Sequence, residues 1–212
     1  MDLDIIALYA LAVIGPILIF LTHYIVKGRG KDMTRLWFIT FFSYMVYYWL
    51  AKSNNIYDDP RDMVYGFALL WPIAAILAFW IAELLTKKGR FVPFFEMMVA
   101  FVMGVIFSFL LDGLAGFWKW YTYVQPSNPA VIQKTWFTNP IGGLQTPAIM
   151  PLLLGILMIV VFFLVFNVYK ELRKRHIDDT SATLLLAFLS VLMGGVLWVI
   201  SSAVMGFVSG YV

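Results

Sequence analysis

Six long apolar runs, separated by short polar segments whose basic charge alternates, constrain this chain more than any other feature. Of its 15 Lys and Arg residues, all but Lys52, Arg61, Lys119 and Lys134 fall in three short segments: Lys27 to Arg35, Lys87 to Arg90 and Lys170 to Arg175. Lys and Arg collect in the cytoplasmic loops of polytopic membrane proteins. The pattern therefore predicts an all-α polytopic membrane protein, a bundle of six transmembrane helices in the cell (plasma) membrane. Both termini lie outside and the basic loops are cytoplasmic. The spans fall at about 5–26, 36–51, 63–86, 91–117, 149–169 and 182–208, against the roughly 20 residues that cross a hydrocarbon core about 30 Å thick. They use nearly the whole chain, so residues 1–212 read as a single integral membrane domain.

Composition agrees: 62% of residues are hydrophobic, 13% are charged, and the mean hydropathy is +0.87. The net charge of +3 and pI near 9.0 suit loops facing anionic headgroups, not nucleic acid. With no Cys, disulfides, thiolate metal sites and Cys nucleophiles are excluded. Span 1 begins at Ile5 without a basic segment before it or a small-residue cleavage site after it, and reads as a retained span. The two His lie near the ends of different spans, an arrangement that disfavours bis-histidine haem. No cofactor and no metal site is expected.

Several helix features bear on packing. Pro16 and Pro72 predict kinks in spans 1 and 3. Span 2 is half aromatic, and its Trp37, Phe41, Tyr44 and Tyr48 fall on one stripe. Flat rings of this kind line a groove for an isoprenoid, quinone or sterol-like ligand, or pack a core. Span 6 has no charge from Ala182 onward, and its Gly206 and Gly210 have the spacing that lets another helix approach closely. That face serves intrachain packing, partner membrane subunits or a homo-oligomer. Between spans 4 and 5 runs a long outer loop, about Trp118 to Ala148. Its Trp118, Trp120, Tyr121, Tyr123, Trp136 and Phe137, interspersed with prolines, predict a segment lying in the membrane interface.

Ionisable residues inside spans are costly and are functional candidates for that reason. His23, Glu83 and Glu96 fall toward the inner side of spans 1, 3 and 4, where they form a proton relay if the helices adjoin. The alternative is structural: Glu83 stands one helical turn before Lys87, and the other two can reach the interface. Asp112 is the outer-side candidate. It reads as a general acid, or a cation-binding carboxylate, beneath an aromatic lid of Trp118, Trp120, Tyr121 and Trp136. Otherwise it is a helix-end carboxylate paired with Lys119. Asp58, Asp59 and Asp62 have the DDxxD spacing of diphosphate sites, but Pro60 breaks the helix such a site needs, and a turn capped by Asp62 fits better.

The stretch Phe107-Ser108, Asp112, Trp118, Trp120 and Ile141-Gly142-Gly143-Leu144 resembles part of the membrane lycopene-cyclase domain, over about 50 residues. That family places an aspartate in a span, an aromatic pair after it, and a Pro-rich turn into the next helix. Paired glutamates follow that turn in the family, whereas Gln145, Thr146, Pro147 and Ala148 stand here. No catalytic role is carried over.

Three functions fit these observations. The first is an integral subunit of a larger membrane complex, binding partner helices, membrane lipids or another hydrophobic ligand. The second is a small membrane enzyme acting on an isoprenoid, quinone or lipid, with Asp112 or Glu96 as acid or base. The third is a proton-coupled transporter or channel.

Overall fold

The apolar runs become helices because a chain in lipid must satisfy its backbone hydrogen bonds within each segment. The computed structural model describes residues 3–25, 30–59, 63–86, 92–125 and 134–209. Its six helices are α1 (Leu3–Ile25), α2 (Gly30–Ser53), α3 (Met63–Thr86), α4 (Val92–Trp118), α5 (Ile149–Lys174) and α6 (Asp179–Ser209). Four are long and apolar enough to span a membrane: Gly66–Leu85 in α3, Phe94–Trp118 in α4, all of α5, and Asp179–Ala203 in α6. In α1 the apolar stretch is shorter, Leu8–Thr22.

Exposed apolar stripes mark the lipid-facing surface. Phe94, Met98, Val102, Ile106 and Leu110 recur every fourth residue along α4, and Leu184, Phe188, Val191, Val196 and Val199 run along α6. Water would not tolerate continuous apolar faces of this size. The chain is thus an all-α, membrane-embedded protein.

The second helix differs from its expected form. It begins six residues earlier than the apolar run, because Lys31, Asp32 and Arg35 belong to its first turns. It falls short of the span criterion by composition, yet it packs against α1, α3, α5 and α6. Its Met33, Leu36, Thr40, Ser43, Tyr47 and Ala51 are all buried. Thr40 and Ser43 each donate to the carbonyl one turn back, at 2.6 and 2.9 Å. A helix surrounded by other helices need not be apolar all round, which is why hydropathy understates it.

Pro16 and Pro72 lie inside helices that continue through them. In α5 a π-helical segment, Leu164–Val168, interrupts the α-helix and re-phases the last turn. Tyr169 then meets the N-terminal ends of α2 and α6. There the Arg35 guanidinium donates to Asp32 (2.9 Å) and Asp179 (2.7 Å) and lies 3.9 Å from the centre of the Tyr169 ring. Tyr169 itself donates to Asp179 at 2.6 Å. Asp178 caps α6 by accepting from the Ser181 amide at 2.9 Å, which holds its carboxyl below the usual range.

Three helices stop in the same way. After α2, α4 and α5, a residue at positive φ (Asn55, Lys119, His176) turns the chain out of the helix. The following amides of Ile56, Trp120 and Ile177 reach back to the carbonyls of Ala51, Ala115 and Leu172, at 2.9, 2.9 and 3.2 Å. These are Schellman closures, each followed by an apolar residue.

The long loop between α4 and α5, together with the segment after α2, forms two short antiparallel ribbons. Strand β1 (Tyr57–Asp58) pairs with β2 (Thr122–Tyr123), and β3 (Trp136–Thr138) pairs with β4 (Gln145–Pro147). Two- and three-residue strands are too short to leave a periodic signal.

Candidate functional site

The ribbons position the outer site. The closure after α4 seats Trp120, fully buried, against Phe67 and in a stack on Trp118 (4.7 Å). The chain then extends, and alternation along a strand sends Tyr121 and Tyr123 inward and Thr122 outward. Both tyrosines point back at Asp112, which lies one turn before the α4 closure and is 2% exposed. Tyr121 donates to Oδ1 at 2.5 Å; Tyr123 lies 3.1 and 3.3 Å from Oδ1 and Oδ2. Burial and the adjacent Asp112 raise both phenols well above their ordinary value, so they remain protonated donors.

Tyr57 faces Tyr123 across the β1–β2 register, its ring 5.1 and 4.9 Å from those of Tyr121 and Tyr123. Below them, Tyr48 accepts from the Trp71 indole (2.9 Å), and Trp71 stacks on Tyr44 at 4.0 Å. Tyr44 in turn donates to the Leu154 carbonyl at 2.7 Å, which commits it to the core.

The second ribbon closes the other side. Gly142 packs directly on the α4 backbone at Gly113 and Gly116, where a Cβ on Gly142 would fall 1.9 Å from the Gly113 carbonyl oxygen. Asn139 fastens this turn: its Nδ2 donates to the Phe109 carbonyl (2.8 Å) and its Oδ1 accepts from the Ile141 amide (3.0 Å). Docked this way, the ribbon sets Thr146 beside Asp112 and Trp136 edge-on to Tyr123, 6.2 Å away. The Trp136 indole nitrogen and the Ser108 hydroxyl are buried without a hydrogen-bond partner among the described residues. The hydroxyls of Thr146, Tyr57 and Ser201 are buried without reaching full hydrogen-bond geometry, Thr146 interacting weakly with Asp112 and the other two with Tyr47. Tyr47 adjoins Tyr57 and Ser201, yet its hydroxyl goes to the Met150 sulfur at 3.8 Å.

Two clefts open outward from this layer. One, of about 350 Å³, is lined by Lys119, Tyr121, Tyr123, Gly142 and Gln145 among others. The second, of about 510 Å³, is lined by Asn55, Tyr57, Asp58, Thr122 and Gln125 among others. Tyr121, Tyr123 and Tyr57 thus form the partition between the clefts and the carboxylate. Lys119 is exposed on the outer side of that partition.

Sequence candidates fall in three groups. Asp112 and Tyr121 bond directly, with Trp118, Trp120, Trp136 and Tyr48 in the surrounding aromatic layer. Trp37 and Phe41 stack on one another at 5.6 Å, half-buried and separate from Tyr44 and Tyr48. Glu96 is buried at the other end of α4, about 24 Å from Asp112 by helical rise, so the two carboxylates belong to different places. Helix α3, which carries Glu83, packs against both α1 and α4. The side chain of His23 and the surroundings of Gly206 lie outside the described residues, as do Lys87, Asp62 and Gly210. Asp59 is buried, with the Lys52 ammonium 2.8 Å from its carbonyl and 3.6 Å from its carboxylate. Among the described residues no three His, Asp or Glu side chains gather as a metal site.

Tyr123, Tyr57 and Thr146 are not singled out as site residues by the sequence. The Tyr-x-Tyr spacing at 121 and 123 was the available signal for the first. No family model matches the chain, and no curated protein or solved structure matches it either, so the lycopene-cyclase resemblance stands on its quoted residues alone.

Proposed function

We propose that this chain is a membrane-embedded enzyme acting on a hydrophobic substrate, with Asp112 exchanging a proton with that substrate and Tyr121 and Tyr123 positioning the carboxylate. The observation that carries this reading is the Asp112 site itself. It is a carboxyl buried in a span, bonded to two phenols, with no cation among the groups that act on it. Such a group is expensive to keep in a membrane protein and is retained where it does chemistry. The aromatic layer suits an isoprenoid, quinone or lipid, and the outer clefts are of the size that admits part of such a molecule. With the basic loops read as cytoplasmic from the charge pattern, we assign this site to the outer face of the cell membrane.

A subunit role is the second reading, with α6 as the partner face. The exposed stripes of α4 and α6 are covered by lipid as well as by a partner helix, so they do not favour it over the first.

The test is substrate depletion. Purified protein in nanodiscs is incubated with the extracted lipids of its native membrane, and the lipids are profiled by mass spectrometry. One hydrophobic species should be consumed by the wild type and spared by Asp112→Asn. Equal profiles with both proteins would sink the enzyme reading.

A further inference from the structure

We infer that the ligand of this site is an apolar molecule ending in an uncharged oxygen group, a hydroxyl or a carbonyl. The inference rests on reading the surroundings of Asp112 as a ligand site. It narrows the substrate class by what the walls offer.

Three polar atoms carry the argument: the Tyr57 hydroxyl, the Thr146 hydroxyl and the Trp136 indole nitrogen. Each belongs to a residue more than nine-tenths buried, and none is held at full hydrogen-bond geometry. The Trp136 indole has no partner among the described residues, while Thr146 has only Asp112, and Tyr57 only Tyr47, close enough to interact weakly. They are not scattered. Tyr57 and Trp136 both contact the Tyr123 ring, and Thr146 lies beside the Asp112 carboxylate. Buried polar groups are nearly always satisfied, so several held short of full hydrogen-bond geometry around one carboxylate point to an external partner. The indole N–H only donates, and the hydroxyls can donate or accept. Their common complement is an oxygen with free lone pairs.

Charge narrows the class further. A phosphate or diphosphate would meet the Asp112 carboxylate with no cation beside it among the described residues, since Lys119 is exposed in the cleft beyond the tyrosines. An organic cation would suit the carboxylate and the ring faces, but it would leave the Trp136 N–H without an acceptor. A neutral hydroxyl satisfies both requirements, because its lone pairs accept from Trp136 and its O–H donates a hydrogen bond to Asp112; a carbonyl satisfies the first. The rest of the molecule lies in the adjoining cleft, whose wall includes Tyr121, Tyr123 and Leu144. Water supplies the same lone pairs, and the experiment separates the two sources.

Three probes with one tail test this: farnesol, farnesyl diphosphate and farnesene. Binding to the full-length protein in detergent is measured by native mass spectrometry and by displacement titration. Farnesol should bind about tenfold or more tightly than either of the others. Trp136→Phe combined with Thr146→Val should reduce farnesol to the level of farnesene and leave farnesene unchanged. A preference for the diphosphate overturns the inference. So does farnesol binding no better than farnesene, the result expected if these donors serve water alone. A Tyr57→Phe variant gives a second reading should the double variant fold poorly. The two readings fail separately: loss of turnover in Asp112→Asn without a farnesol preference keeps the enzyme and removes this substrate class. A farnesol preference with turnover intact in Asp112→Asn does the reverse.

Discussion

The two ends of this bundle solve the same problem in opposite ways. At the end that carries the basic segments, the buried Arg35 meets two carboxylates and the face of Tyr169, and Asp179 takes a further bond from the Tyr169 hydroxyl. In this cluster the guanidinium is matched by two carboxylates, and three helices are tied by it. At the opposite end, Asp112 has only hydroxyl donors among the described residues, and the nearby Trp136 indole nitrogen lacks a partner there. A saturated cluster holds structure together, whereas an unsaturated one keeps bonding capacity for something else. Polarity inside a membrane protein is therefore informative by how completely it is satisfied.

Substitutions should separate these roles. The largest expected loss of stability is from Gly142→Ala. A Cβ there collides with the α4 backbone, so the Asn139 turn must lift, at a cost of about 3 kcal/mol. A thermal-unfolding shift in detergent reads this directly, and turnover should fall with it as Thr146 is displaced. An unshifted melting temperature would show that the ribbon is not anchored where we place it. Arg35→Met should destabilise by about 2 kcal/mol, because Asp179 loses its cation while α2, α5 and α6 lose their tie. Turnover per folded molecule should stay at the wild-type level. If turnover vanished while the fold survived, the contrast between the two ends would break.

A smaller effect follows from pH. Burial raises Tyr57, Tyr121 and Tyr123 well above the ordinary tyrosine value near 10. The folded state thus binds these protons more tightly than the unfolded chain does. Their contribution to stability is full below about pH 10 and is lost as pH rises from there through the raised values. Tyrosinate absorbance from these residues should appear together with loss of helical circular dichroism. Full ionisation at the ordinary value in an intact fold would contradict the packing described. The smallest effect is at the α4 closure: Lys119→Gly relieves a left-handed backbone and should stabilise by about 0.5–1 kcal/mol, read by thermal unfolding. Destabilisation there would mean that the Lys119 side chain does more than end the helix.

The helices were largely legible because lipid demands long apolar runs: α3 and α4 begin and end within about a residue of their expected limits. The second helix was underestimated because its first turns carry Lys31, Asp32 and Arg35, which resemble loop charges in a sequence. For the same reason the Arg35 cluster was not foreseen. It joins residues 32, 35, 169 and 179, and the π segment that aims Tyr169 leaves no mark in the apolar pattern. At the outer site, Asp112 stands out as a carboxylate inside an apolar run, and Tyr121 as part of an aromatic loop. Tyr57 and Thr146 arrive through strands of two and three residues whose pairing is set by long-range contacts.

The most direct test measures unfolding and turnover of Asp112→Asn side by side with the wild type. The amide has nearly the same shape and still accepts from one tyrosine, so the melting temperature should hold within a degree or two. Turnover of the consumed lipid should fall about a hundredfold or more. A large drop in melting temperature with turnover per folded molecule preserved would make Asp112 a structural tie like Arg35, and would contradict the account of the outer end.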